Sequence, residues 1–167
     1  MKINIYIVII VIMIEIVYYD ENLRCYRDGR VERCFKRKGW TIVKNTDNKN
    51  GYNVIVINTQ ILRHRLIAFC WKGLKNIDGT KSHINNDDID HINHNKLDNR
   101  VDNLRIVTHQ KNGFNRNDKG YSWRKASNKW QARIVLNKKT IHLGYYETEA
   151  EAHTAYLTAK LKYHPME

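Results

Sequence analysis

The residue types best suited to chemistry gather in one stretch: Asp88-Ile89-Asp90-His91-Ile92-Asn93-His94-Asn95-Lys96-Leu97-Asp98-Asn99-Arg100, then Asp102-Asn103-Leu104-Arg105-Ile106-Val107-Thr108, with Asn112 just beyond. A carboxylate stands beside an imidazole at the end of a short apolar run, and turn formers follow. Such a pair can hold a hard cation through Asp90 and leave His91 to take a proton from water. Asn112 supplies a second oxygen ligand if the chain folds back on itself. One oxygen-liganded divalent ion beside a neutral histidine is an arrangement that cuts phosphodiesters.

The flanking elements can bring that about. Asp88–His91 reads as a strand, the Asn- and Asp-rich segment after it as an ordered loop, and Leu104–Val107 as a second strand. Thr108 is an N-cap residue, so Asn112 falls about one turn into a helix. Upstream, Ile61–Trp71 reads as a helix with Leu62, Leu66, Phe69 and Cys70 on one face. Gly73–Asp87 is polar and without period, hence a loop. His83 and His94 carry no spacing argument and read as solvated loop residues.

These same residues carry a resemblance. The run DHINHNKLDNRVDNLRIVTHQKN is similar to the HNH endonuclease family, in the branch found among homing endonucleases of phages and large DNA viruses. The resemblance implies His91 as general base, Asp90 as metal ligand, Asn103 as the loop residue that holds the motif together, and Asn112 as second ligand. The third letter of the motif is Asn112 where the family often has His, and an amide oxygen suits Mg²⁺ or Mn²⁺ better than Zn²⁺. His109 is a competing third residue, one helical turn off the expected spacing. The string from His64 to Phe69 also resembles the helix before the motif, where the histidine is structural or touches phosphate. Arg105, Lys111 or Arg116 could stabilise developing charge on the phosphate or serve as a phosphate anchor.

The chain has 167 residues and a formal charge of +12, enough for one domain or two small ones and suggestive of a polyanionic partner. The positive excess is spread over residues 1–60, 61–117 and 118–167 rather than held in one tail. Cys25, Cys34 and Cys70 form no C-x-x-C pair and no even framework, which speaks for a reducing compartment and against zinc-stapled variants. Ile3–Ile14 is apolar except for Asn4. It has no small-residue cleavage site after it and is shorter than the roughly 18 residues of a membrane span. Its Ile and Val content predicts a strand, with a membrane segment or a mis-assigned start as the alternatives.

Residues 16–60 read as short strands joined at Asp28-Gly29 and Asn50-Gly51. Their Arg24, Arg27, Arg30, Arg33, Lys36, Arg37 and Lys38 either track a phosphate backbone or form a solvated face. After a joint at residues 117–120 come three strand-like runs, Tyr121–Lys125, Trp130–Leu136 and Thr140–Tyr145. A capping box from Thr148 to Glu151 then opens a helix. Alternation turns Trp130, Ala132, Ile134, Ile141 and Leu143 toward that helix. It turns Gln131, Arg133, Val135, Thr140 and His142 outward with Ser122 and Arg124. Trp123 and Trp130 are expected to pack. From Lys119 to Tyr146 there are seven Lys or Arg and no acid, and a basic sheet face of this kind fits the DNA major groove.

The run GYSWRKASNKWQARIVLNKKTIHLGYYETEAEAHTAY resembles the plant ethylene-response-factor (Apetala-type) DNA-binding domain. That resemblance implies DNA contacts from Ser122, Arg124, Arg133, Lys139 and His142, with Arg105 added from the nuclease segment. The plant domains usually carry Arg at Ser122 and Trp at His142, so base preference does not transfer.

The expected fold is α+β: a ββα-metal nuclease core followed by a three-stranded antiparallel sheet packed on one helix. The expected domains are a β-rich module at 1–60, the nuclease core at 61–116 and the DNA-binding domain at 117–167. The expected function is a metal-dependent, homing-type endonuclease acting on double-stranded DNA with one Mg²⁺ or Mn²⁺. A homodimer or a second visit would be needed to cut both strands. The reading places it inside the cell, in cytoplasm or nucleus if viral, with no stable membrane association. The rival is a non-catalytic DNA-binding protein with a decayed nuclease core.

Overall fold

Short turns fold the first half of the chain into hairpins, as seen in a computed structural model that describes residues 12–78 and 87–165. Strands β1 (Met13–Tyr18), β2 (Glu21–Tyr26), β3 (Val31–Phe35) and β4 (Gly39–Ile42) form an antiparallel sheet in chain order. β5 (Thr46–Asp47), β6 (Asn53–Ile57) and β7 (Thr59–Leu62) form a second one. The strand expected over Ile3–Ile14 lies outside the described residues as far as residue 11, and β1 begins at Met13. The Asp28-Gly29 turn forms as expected. Asp28 accepts from the Arg30 amide, and Gly29 takes φ +85. The β1–β2 turn gave no such signal, because its positive-φ residues are Tyr19 and Asp20.

Helix α1 (Arg63–Lys72) starts two residues later than expected, because Thr59–Leu62 pairs with β6 instead. Its first turn holds Arg63, His64 and Arg65, all buried and without a side-chain cap. Cations at a helix N-terminus oppose the helix dipole, so local sequence does not explain this start. Tertiary carbonyls do. Arg63 donates to Val43 O at 2.9 Å and Lys44 O at 3.2 Å. Arg65 donates to Ile77 O at 2.9 Å and Asp87 O at 3.1 Å, with the Asp87 carboxylate 3.6 Å away.

The asparagine-rich segment supplies β8 (Asp88–His91) and β9 (Leu104–Val107), a two-stranded ribbon joined through a 3₁₀ turn at Val101–Asn103. It has no core of its own. Ile89, Val101 and Leu104 pack in one cluster with Leu23, Val31, Ile55, Ile57, Leu66 and Ile67. Each such side chain contributes about 1.5–3 kcal/mol on burial, so the ribbon depends on the β-module and α1 to stay folded. The chain divides accordingly into two compact units, Met1–Ile106 and Val107–Glu167.

The second unit opens with the short helix α2 (His109–Phe114), then β10 (Tyr121–Arg124), β11 (Lys129–Leu136), β12 (Lys139–Tyr146) and helix α3 (Glu149–Tyr163). The three strands are antiparallel in chain order. Thr148 and Glu151 make the expected capping box: Oγ1 accepts from the Glu151 amide at 3.2 Å, and Oε2 from the Thr148 amide at 3.1 Å. Ile134, Tyr156 and Ala159 form the core, with Ile141, Leu143 and Tyr163 against it. Among the described residues no helix is long and apolar enough to cross a membrane.

Gly120 is the tightest point of this unit. Its φ is +71, and a Cβ there would overlap ring carbons of Tyr156. Gly120→Ala therefore combines a disfavoured backbone with overpacking, at a cost on the order of 2–4 kcal/mol. The expected outcome is early loss of hydrogen-exchange protection in α3, while the amides of α1 keep theirs.

Candidate active site

All four residues of β8 are buried, although three are polar: Asp90 and His91 are each 5% exposed. Burial of this kind is tolerable only with partners, and the segment supplies many of them from its own amides. In the loop after His91, Asn93 Oδ1 accepts from the Asn95 amide and Asn95 Oδ1 from the Leu97 amide. Asn93 Nδ2 donates to Asp98, whose carboxyl is held down to about 2 chiefly by the Arg100 guanidinium. Asn103 closes the loop: its Oδ1 accepts from the Asn93 amide at 3.0 Å and its Nδ2 donates to Asp98 O at 2.8 Å. Its main-chain carbonyl accepts from the Ile92 amide at 2.9 Å.

The His91 ring sits in a small aromatic cage. The His64 ring meets it edge-on at 5.0 Å between centroids, and Tyr52 lies 6.0 Å away, tilted. Its Nε2 is 3.3 Å from Asn99 Oδ1. Burial pushes the His91 imidazole below its ordinary value, while the Asn99 contact and the Asp90 and Asp98 charges pull the other way. The result is a ring that is neutral at pH 7, the state a general base needs. His64 is driven further, down to about 3, first by burial and then by the His91 and Arg65 charges. Its Nδ1 is buried without a hydrogen-bond partner.

Asp90 points its Oδ2 at Arg105, which approaches through Nε at 2.8 Å and Nη2 at 2.7 Å. Arg105, expected among the DNA contacts, is thus engaged with Asp90. Asn112 lies on α2 in the second unit, where Thr108 caps the helix through the Lys111 amide. His109 is the first residue of that helix, and His94 sits exposed in the loop at φ +63. His83 lies outside the described residues.

The donor set is hard and sparse. Among the described residues no three His, Cys, Asp or Glu side chains gather to cage a metal. A buried carboxylate and a histidine side by side fit a Mg²⁺-like ion that keeps most of its water and takes phosphate oxygens. They do not make the closed sulfur or nitrogen cage of structural zinc.

The outward face of the second unit's sheet is set by register. Ser122 pairs with Gln131, Gln131 with Tyr145, and Arg133 with His142. A bulge opposite Ala132/Arg133 shifts β12 by one residue and turns Tyr145 outward, where strict alternation from His142 would turn it in. Arg124, Arg133, Lys139, His142 and Tyr145 are exposed, and Ser122 is half-buried. Gln131 shares that face but is buried beneath Arg124, whose Nε donates to its Oε1 at 2.6 Å. Trp123 does not pack as expected: it pairs edge-on with Trp130 and remains 44% exposed, because β10 is an edge strand.

Residues 83–114 match the family model of the HNH endonucleases. An uncharacterized HNH endonuclease of Acanthamoeba polyphaga mimivirus is 42% identical over 73 residues, which cover 41% of this chain and 38% of that protein. The chain therefore spans well under half the length of that relative. The solved structure of the HNH homing endonuclease I-HmuI, described as showing DNA binding and cleavage, overlays with a TM-score of 0.43 at 21% identity. That overlay covers 87% of this chain and 86% of the other, and at that score it carries no weight for the site.

Within the segment that matches the HNH model, sequence reasoning singled out Asp90, His91 and Asn103 but passed over Asn99, and it gave Tyr52 no place beside His91. The signal for Asn99 was present in Leu97-Asp98-Asn99-Arg100, an amide within a run of turn formers, but nothing in the spacing aimed it at His91. Tyr52 is distant in sequence and carries no local signal.

The histidine cluster predicts a stability profile. Unfolded histidine has a pKa near 6.5 and native His64 near 3, so between those values only the unfolded chain binds the proton. Stability is then lost as pH falls from 6.5 toward 3, at up to about 1.4 kcal/mol per pH unit for one group. His91 acts in the same direction. The urea midpoint of the first unit is expected to drop between pH 7 and pH 4, and to drop less in His64→Phe.

Proposed function

We propose that the chain is a metal-dependent DNA endonuclease of the homing type. The observation that carries this is the neutral, buried His91 beside the buried carboxylate of Asp90, in a segment that matches the HNH endonucleases. His91 takes a proton from water, and the hydroxide oxygen attacks the phosphorus. The P–O bond to the 3′-oxygen breaks, and that oxygen leaves and picks up a proton from solvent. Asp90 and Asn112 would hold the divalent ion, Mg²⁺ or Mn²⁺, which when bound supplies Lewis-acid stabilisation of charge on the phosphate and the leaving oxygen. Arg105 orients Asp90 through the ion pair, and Asn103 keeps the loop closed around the base.

The second unit supplies affinity. Its exposed Arg124, Arg133 and His142 share one sheet face with Ser122 and Tyr145. Three antiparallel strands on one helix support the likeness to the Apetala-type reader. A basic β-face lying in a groove anchors to phosphates and reads base edges. One site per chain favours nicking, and double-strand cutting would require a dimer.

Supercoiled plasmid with Mg²⁺ or Mn²⁺ is expected to convert to open circle, to be protected by EDTA, and to react at least about 100-fold more slowly with His91→Ala. Binding without cleavage across several DNA sequences would leave the non-catalytic DNA-binding protein in its place. Arg133→Ala is expected to weaken DNA binding and lower the salt dependence by about one counterion. Fluorescence anisotropy titrations at several salt concentrations measure both.

A further inference from the structure

His91 Nε2 faces one end of a chain of amides that crosses from the HNH segment into the β-module. Asn99 Oδ1 is 3.3 Å from Nε2. Asn99 Nδ2 donates to Leu97 O at 3.1 Å and to Asn53 Oδ1 at 2.9 Å. Asn53 Nδ2 donates to Asp47 Oδ1 at 2.6 Å. Asn53 and Asn99 are 3% and 4% exposed, and Asp47 reaches the surface. Asp47 and Asn53 are register partners on β5 and β6.

The direction of this chain is fixed by groups that cannot reverse. A main-chain carbonyl and a carboxylate only accept hydrogen bonds. Leu97 O therefore requires the NH₂ of Asn99 on its side, and Asp47 requires the NH₂ of Asn53. Reversing either amide would set oxygen against oxygen in a buried place. The Asn99 carbonyl oxygen is thereby turned to His91, where it bonds only to a nitrogen that carries hydrogen. Gly29 holds the backbone of Asn99 as well: a Cβ at that glycine would lie 2.8 Å from the Asn99 carbonyl carbon and oxygen.

We infer that Asn99, its amide pinned by Leu97 O and by the Asp47–Asn53 pair, is a positioning residue that holds the His91 imidazole protonated on Nε2. The lone pair is then on Nδ1, and Nδ1 is the atom that receives the proton from water. The catalytic consequence rests on the nuclease reading above; the tautomer does not. A ring free to exchange tautomers presents its lone pair in the wrong place part of the time.

The test is the nitrogen spectrum of the His91 ring in the full chain at neutral pH, recorded by long-range proton–nitrogen correlation, beside plasmid nicking kinetics. The wild type is expected to show a protonated Nε2 and an unprotonated Nδ1. Asn99→Leu should draw the two shifts together as the tautomers exchange, and lower kcat about tenfold with KM for DNA unchanged. Asn53→Leu, which leaves the Leu97 lock, should move both readouts the same way by less. A wild-type ring protonated on Nδ1 overturns the inference, as do ring shifts that do not change in Asn99→Leu. If Asn99→Leu does not fold, the wild-type and Asn53→Leu spectra still decide. The expected nitrogen pattern in a protein that nicks nothing upholds the tautomer and removes the nuclease reading instead.

Discussion

Burying an ionisable strand is the constraint on which the first unit depends. β8 leaves Asp88, Asp90 and His91 only 8%, 5% and 5% exposed, and each of them would be expensive there without partners. The surroundings answer with Arg105 on Asp90, Asn99 on His91, and a loop whose asparagines bond to its own backbone. Dense asparagine in this segment thus has a structural cause. Asparagine brings a donor and an acceptor without charge, so it can satisfy a tight loop without adding a charge beside His91.

The same burial tunes the chemistry. An exposed histidine near neutral pH divides itself between two charge states, whereas His91 is pushed toward the neutral form by loss of solvent. The aromatic cage of Tyr52 and His64 contributes to that loss and comes from the β-module and α1. The surroundings of His91 are therefore inseparable from the integrity of elements lying far before it in sequence. The shared apolar cluster makes the point again, since Ile89, Val101 and Leu104 have no core except the one the earlier strands provide.

The second unit solves a different problem, leaving a sheet face open without losing its fold. A small core of Ile134, Tyr156 and Ala159 binds the sheet to α3. Arg124, Arg133 and His142 then stand on the opposite face. The β12 bulge adds Tyr145 to it, giving an aromatic ring beside His142 at 4.7 Å. The exposed face is thereby both basic and partly aromatic.

Sequence alone determined what depends on neighbours in the chain. The β8–loop–β9 order, the Thr108 and Thr148 caps, the Asp28-Gly29 turn and the three-strand-plus-helix unit all follow from local hydrogen-bond chemistry and alternation. The roles open to Asp90, His91 and Asn103 follow from residue type and from resemblance. Tertiary structure decided the rest. It placed Arg63, His64 and Arg65 in the buried first turn of α1, because carbonyls of distant segments receive the two guanidinium groups and the Tyr52 and His91 rings pack against His64. It left Trp123 exposed, because an edge strand has a neighbour on one side alone. It also brought Asn53 to Asn99 and Asn99 to His91, a link between residues 46 positions apart that no period or motif encodes. The physical reason is common to the first and the last: partners for buried polar groups are chosen by proximity in space, and proximity is fixed by the shared core.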